Sequence, residues 1–207
     1  MFTNNKQLIL SLIDEGWLKT PAIIDAFLHI KREDFVPPDE KDAAYLNTAL
    51  PIGFGQTISQ PLVVAFMLEL LKPQKGEKVL DVGCGSGWTT ALIAYLVQPQ
   101  GKVIGIDIIK ELVMFAQKNI EKYQFLNKGR VQLIHGDGKL GFKKEAPYDK
   151  ILVSASSSQI PTELLNQLKT NGRLVIPIKD SIVLVEKIHN NNIKKTEFPG
   201  FAFVPLV

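Results

Sequence analysis

Apolar residues recur along the chain at two spacings, and the change from one to the other marks out its elements. Leu8, Ile9, Leu12 and Ile13 predict a helix over residues 4–14. Thr20-Pro21 opens a second helix reaching about residue 31, with Thr20 as N-cap and the proline at the first helical position, and Pro37-Pro38 prevents its continuation. Residues 62–71, entered through Pro61, carry Val63, Val64, Met67, Leu70 and Leu71 as an apolar stripe. Short β-branched runs then alternate with helices. Strands are predicted around Val79, Leu80 and Val82, then over 102–107, 131–135, 149–155 and 173–178. Helices are predicted over 89–96, 110–124 and 162–168, with Gly172 as C-cap of the last. Residues 181–189 and 201–207 read as late strands. Residues 43–61 fit neither period and predict a loop, of a kind that is often functional in a compact domain.

Such alternation predicts an α/β fold: a doubly wound, mostly parallel Rossmann-like sheet with an N-terminal helical extension. One domain is expected over residues 1–207, with helices and a loop in 1–76 and the sheet core in 77–207. At 207 residues the chain is long enough to bury a core of its own. Hydrophobic residues at 45% and charged residues at 22% argue against disorder. The longest apolar stretch, residues 61–71, is too short to span a bilayer and contains Glu69, so no membrane partner is expected. Residues 1–15 lack a secretory pattern, which predicts a cytoplasmic location. The single cysteine, Cys84, excludes an internal disulfide or a cysteine-cluster metal site. His29, His135 and His189 show no ligand spacing, so no metal is expected. The net charge of +3 is spread among acids and does not point to nucleic acid.

The candidate chemistry lies where the first strand of the core breaks into glycines, at Asp81-Val82-Gly83-Cys84-Gly85-Ser86-Gly87-Trp88. Three alternate glycines let the backbone turn and approach a bound molecule closely. Twenty residues beyond Gly87, a strand ends in Asp107, a carboxylate suited to both hydroxyls of a ribose. A dinucleotide fingerprint would place a glycine where Trp88 stands, which weakens an NAD reading. Cys84 reads as a small loop residue rather than a nucleophile. Asp137, between Gly136 and Gly138, points either into the same crevice or into a turn. Ser59, just before Gln60-Pro61, reads from sequence chemistry as a helix cap more readily than as a catalytic group.

The Gly-x-Gly-x-Gly loop resembles the S-adenosylmethionine loop of Rossmann-like methyltransferases, in which Asp81 would lie near the cationic methionine end. A more specific likeness runs through Arg32-Glu33-Asp34-Phe35-Val36-Pro37, Gly55-Gln56-Thr57-Ile58-Ser59-Gln60-Pro61, Gly136-Asp137-Gly138, Gly172-Arg173-Leu174-Val175-Ile176-Pro177 and Phe203-Val204-Pro205-Leu206. Together these resemble the protein-L-isoaspartate O-methyltransferase family of protein-repair enzymes. The resemblance implies S-adenosyl-L-methionine as cofactor, isoaspartyl residues of damaged proteins as substrate, and a monomer. It also implies that Ser59 is the active-site serine, with Thr57 and Ile58 beside the cofactor. Gly83, Cys84, Gly85, Ser86 and Gly87 would hold the methionine part, Asp107 the ribose, and Asp137 and Gly138 would face the adenine. The sequence departs from the family at Cys84, Trp88, Asn47, the Ser154-Ala155-Ser156-Ser157-Ser158 stretch and Val207, most of which bears on substrate geometry. Transfer to an already ionised carboxylate needs no strong general base, so the lack of a His/Asp pair fits. A methyltransferase for a small molecule, or a catalytically weak cofactor-binding relative, would share the glycine loop.

Overall fold

The β-branched runs of the second half pair side by side because each is apolar on both faces and must be covered on both. The computed structural model describes residues 4–189 and 192–207. Its central sheet has seven strands in the order β5-β4-β3-β6-β7-β8-β9. The strands β3 (Lys78–Val82), β4 (Lys102–Asp107), β5 (Val131–His135), β6 (Tyr148–Val153) and β7 (Leu168–Ile178) run parallel. The last two, β8 (Ser181–Lys187) and β9 (Ile193–Pro199), are antiparallel. Alternate side chains separate into two cores. Val79, Val103, Val131, Leu152 and Val175 face one, with helices α1 (Asn5–Asp14), α2 (Pro21–His29), α3 (Pro61–Leu71), α4 (Trp88–Val97) and α5 (Lys110–Glu121). Leu80, Ile104, Ile151 and Leu174 face the other, with α6 (Thr162–Gln167). Order reverses at β3, with β4 on one side and β6 on the other, which opens a crevice at the strands' carboxyl ends. No helix among the described residues is long and apolar enough to cross a membrane.

The N-terminal helices are tied to the core by polar groups at their ends. Asn4 caps α1 through its side chain, which accepts Gln7 N–H at 3.0 Å. Thr20 precedes α2 as expected but makes no side-chain cap bond. Its backbone N–H and hydroxyl donate instead to the Glu69 carboxylate at 2.8 and 2.7 Å. The one acid in the long apolar stretch thus joins α3 to the start of α2.

Four expectations need correction. The predicted loop over 43–61 contains a hairpin of β1 (Leu50–Gly53) and β2 (Gln56–Ile58). Leu50 and Ile52 are buried while Pro51 and Gly53 face solvent, so the period is two, hidden because proline and glycine fill the outward positions. Gly172 is not a C-cap: α6 ends before Leu168, and the left-handed turn residue is Asn171. Glycine is needed at 172 because a Cβ would lie 2.8 Å from the Lys169 carbonyl and 2.9 Å from that of Asp149. Residues 193–199 form an edge strand that was not anticipated, since its Ile-Lys-Lys-Thr-Glu run is largely exposed and shows no apolar alternation. Residues 201–207 are irregular rather than a strand, and Pro205 makes an isolated bridge to Ser156 in the segment after β6.

Candidate functional site

At the end of β3 the backbone turns through Gly83, Gly85 and Gly87, all left-handed at φ of 73°, 52° and 90°. The amides of Gly83 and Cys84 both donate to the Ile106 carbonyl of β4, at 2.9 and 3.1 Å. Asp107 locks the turn further. One of its oxygens accepts Gly85 N–H at 2.8 Å and the other Ile109 N–H at 3.0 Å, which fixes the plane of the carboxylate. Each oxygen keeps a further lone pair. The third glycine serves packing: a Cβ on Gly87 would come within 2.9 Å of Ile120 and 3.1 Å of Ala116 on α5.

Asp81 lies beneath this loop. It has no solvent exposure, and one of its oxygens accepts both Thr90 and Thr89 hydroxyls, at 2.6 and 2.9 Å. Its other oxygen has no partner. Burial pushes this carboxyl up to about 6, the threonine bonds oppose the rise, and nearby Asp107 adds to it. The same burial, with the two acids adding to it, pushes the Cys84 thiol well up, so Cys84 is an inert lining group.

The opposite wall is the β1–β2 hairpin and the segment leading to α3. Asn47 fills the role that sequence chemistry suggested for Ser59. Its Oδ1 accepts Leu62 N–H at 3.0 Å at the start of α3, and its carbonyl accepts from the Gln60 amide at 2.9 Å. Ser59 is therefore not the helix cap, and its hydroxyl makes no hydrogen bond to any described residue, while its carbonyl accepts from Arg32 at 3.1 Å. Between the walls lies a cavity of about 810 Å³, counting its open mouth. Among the described residues lining it, Asp107 is the one with a charged side chain, and none is Lys or Arg.

A family model described as Protein-L-isoaspartate(D-aspartate) O-methyltransferase matches residues 3–207. The chain belongs to this family. It is 44% identical over 206 residues to the protein-L-isoaspartate O-methyltransferase of Methanopyrus kandleri, covering 98% of this chain and 90% of that one. It is 42% identical to the same enzyme of Pyrobaculum islandicum, covering 97% of both. In structure it is similar to a putative protein-L-isoaspartate O-methyltransferase of Plasmodium falciparum in complex with S-adenosyl-L-homocysteine. That likeness has a TM-score of 0.87 and 30% identity, over 100% of this chain and 99% of that chain.

For this family member, sequence reasoning placed most candidates on one cavity. Thr57, Ile58, Ser59, Gly83, Cys84, Gly85, Ser86, Asp107 and Gly138 all line it. Three candidates do not. Asp81 is behind the loop, Gly87 is turned to α5, and Asp137 accepts Lys139 N–H at 2.8 Å as the cap of a short 3-10 turn. Gly138 reaches the wall because a Cβ there would collide with Val82. Sequence reasoning missed Ile108, Ile109 and Leu112, which form an apolar wall after β4, and noted Ser154 after β6 only within a departure from the family. Their signal was position: both segments follow carboxyl ends of central strands. A second, shallower hollow adjoins the cavity, lined by Ala49, Gln60, Val63, Ala202 and Phe203. Thr57, Ser59, Ser154 and Val204 belong to both.

Proposed function

We propose that this chain methylates the free carboxylate of isoaspartyl residues in proteins, using S-adenosylmethionine, with Ser59 orienting the carboxylate and Asp107 binding the ribose. Family membership makes it an S-adenosylmethionine-dependent carboxyl O-methyltransferase. The observation that carries the residue assignment is the junction at Ser59. A free hydroxyl there stands on the wall shared by the cavity at the glycine loop and the adjoining hollow.

The cavity suits this cofactor by charge. A lining with one acid and no base favours a ligand bearing a sulfonium and an ammonium, and a pyrophosphate would find no cation there. Buried Asp81 adds negative charge from beneath, Gly87 sets the approach of α5, and Asp137 shapes the turn that presents Gly138. When bound, S-adenosylmethionine supplies an electrophilic methyl group on a sulfonium that leaves as a neutral thioether. The chain's own residues align and desolvate. The substrate carboxylate is ionised at neutral pH, so no group need remove a proton. The Ser59 hydroxyl donates to one carboxylate oxygen and fixes its direction. Ile52, Ile58 and Val204 exclude water that would hold the two charges apart.

Ser59→Ala tests the assignment. Turnover is expected to fall roughly tenfold to a hundredfold, while calorimetric affinity for S-adenosylhomocysteine and thermal stability stay unchanged, since Asn47 caps α3. Loss of stability and cofactor affinity with unchanged turnover per folded molecule would instead make Ser59 a structural residue.

A further inference from the structure

Arg32 heads the largest side chains with no solvent exposure, yet no carboxylate lies within ion-pair distance of it among the described residues. The neighbouring acids are engaged elsewhere. Asp34 accepts from Lys122 and Tyr123, and Glu33 is bonded to Tyr45. Five carbonyls take the guanidinium instead, all in the segment that leads to Ser59. One terminal nitrogen donates to Ala44 and Leu46, at 2.9 and 3.2 Å. The other donates to Thr48, Ile58 and Ser59, at 2.8, 3.5 and 3.1 Å. The Nε–H has no partner among the described residues. On its other side the guanidinium carbon is 5.4 Å from the ring centroid of Trp88, which lines the cavity.

Burying a cation is costly unless an anion compensates it. Carbonyl dipoles and an indole face compensate only in part. Burial pulls the guanidinium down to about 9, which still leaves it protonated at neutral pH. The fork of N–H donors accounts for the carbonyl contacts, which no neutral side chain could make in that number, and the charge that comes with it places a positive potential behind Ser59. We propose that Arg32 is a positioning residue and the counter-charge of the substrate: it holds Ser59 through its carbonyl and favours an anionic group at its hydroxyl. This rests on the function proposed above and names what selects the carboxylate. It follows that Arg32 acts on binding more than on the chemical step. The acceptor loses its negative charge as the ester forms, so the same potential that draws in the substrate no longer holds the product.

The test compares two peptides bound in the presence of S-adenosylhomocysteine, one with an isoaspartyl residue and one with a carboxamide in place of its free carboxylate. Wild type is expected to prefer the carboxylate by roughly tenfold or more. Arg32→Gln should abolish the preference and raise KM for the isoaspartyl peptide more than it lowers kcat, with affinity for S-adenosylhomocysteine retained. Arg32→Lys, which keeps the charge, should restore part of the preference. Ser59→Ala, which leaves Arg32 intact, should keep a preference of about threefold, and this arm decides the matter even where Arg32→Gln does not fold. Complete loss of preference in Ser59→Ala, or its persistence in a folded Arg32→Gln, overturns the assignment. Failure of wild type to methylate the isoaspartyl peptide overturns the proposed function itself and takes this role with it.

Discussion

Asp107 closes β4 with a carboxylate that serves the glycine loop as well as the ribose proposed to bind there. Both of its oxygens already hold backbone amides, Gly85 on the loop and Ile109 before α5. Replacing it removes an acceptor from the ligand and from the loop together. Asp107→Ala is expected to weaken S-adenosylmethionine and S-adenosylhomocysteine binding by roughly 2 to 4 kcal/mol, measured by calorimetry. NAD should not bind either protein, and NAD binding to wild type would contradict the cofactor assignment. Asp81 lies behind the loop rather than on the cavity wall. A carboxylate beside glycines suggested a ligand contact, but position 81 lies inside β3, where it meets Thr89 and Thr90 at the start of α4. Sequence shows that an acid is present and cannot show which side of a loop it occupies. Asn47 illustrates the reverse case, a residue noted only as a departure that turns out to cap α3 and so frees Ser59.

At the level of elements, strands buried on both faces announced themselves, and those wet on one or both faces did not. β3 and β4 were readable because they are buried almost throughout, and edge strand β5 through Val131, Leu133 and Ile134, whereas β9 carries Lys194, Lys195 and Glu197 on an exposed edge. The β1–β2 hairpin was hidden by Pro51 and Gly53, although it builds one wall of the site. The glycine loop is also a packing device. Gly87→Ala would force a left-handed alanine against Ile120 and Ala116. It is expected to cost about 1 to 3 kcal/mol of stability and to weaken cofactor binding by tilting α4 and α5 apart. Thermal unfolding with and without S-adenosylhomocysteine measures both, and an unchanged melting temperature would show that the close approach is not needed.

For the molecule as a whole, the crevice at the sheet's reversal point brings acids into a low-dielectric interior, and stability registers that. The Asp81 carboxyl has an ordinary value of 3.8 and is pushed to about 6 when folded. Between those values the folded chain retains a proton that the unfolded chain releases. Its contribution to stability is thus fully present below about pH 4 and is lost as pH rises through 6, a change of about 3 kcal/mol. Denaturant unfolding from pH 4 to 7 should reveal this component as the difference between wild type and Asp81→Asn, which lacks the titration. Parallel profiles for the two proteins would refute it. The central claim is that cofactor cavity and solvent-facing hollow meet at Ser59 so that a chain-borne carboxylate is methylated there. An isoaspartyl residue offers its carboxylate one methylene away from where ordinary aspartate does, and in-line transfer tolerates little displacement. The most direct test is transfer of labelled methyl from S-adenosylmethionine to an isoaspartyl peptide and to the same peptide with ordinary aspartate. Labelling of the first should exceed that of the second by on the order of 100-fold. Equal labelling of the two, or of neither while a free small acid is methylated, would contradict it.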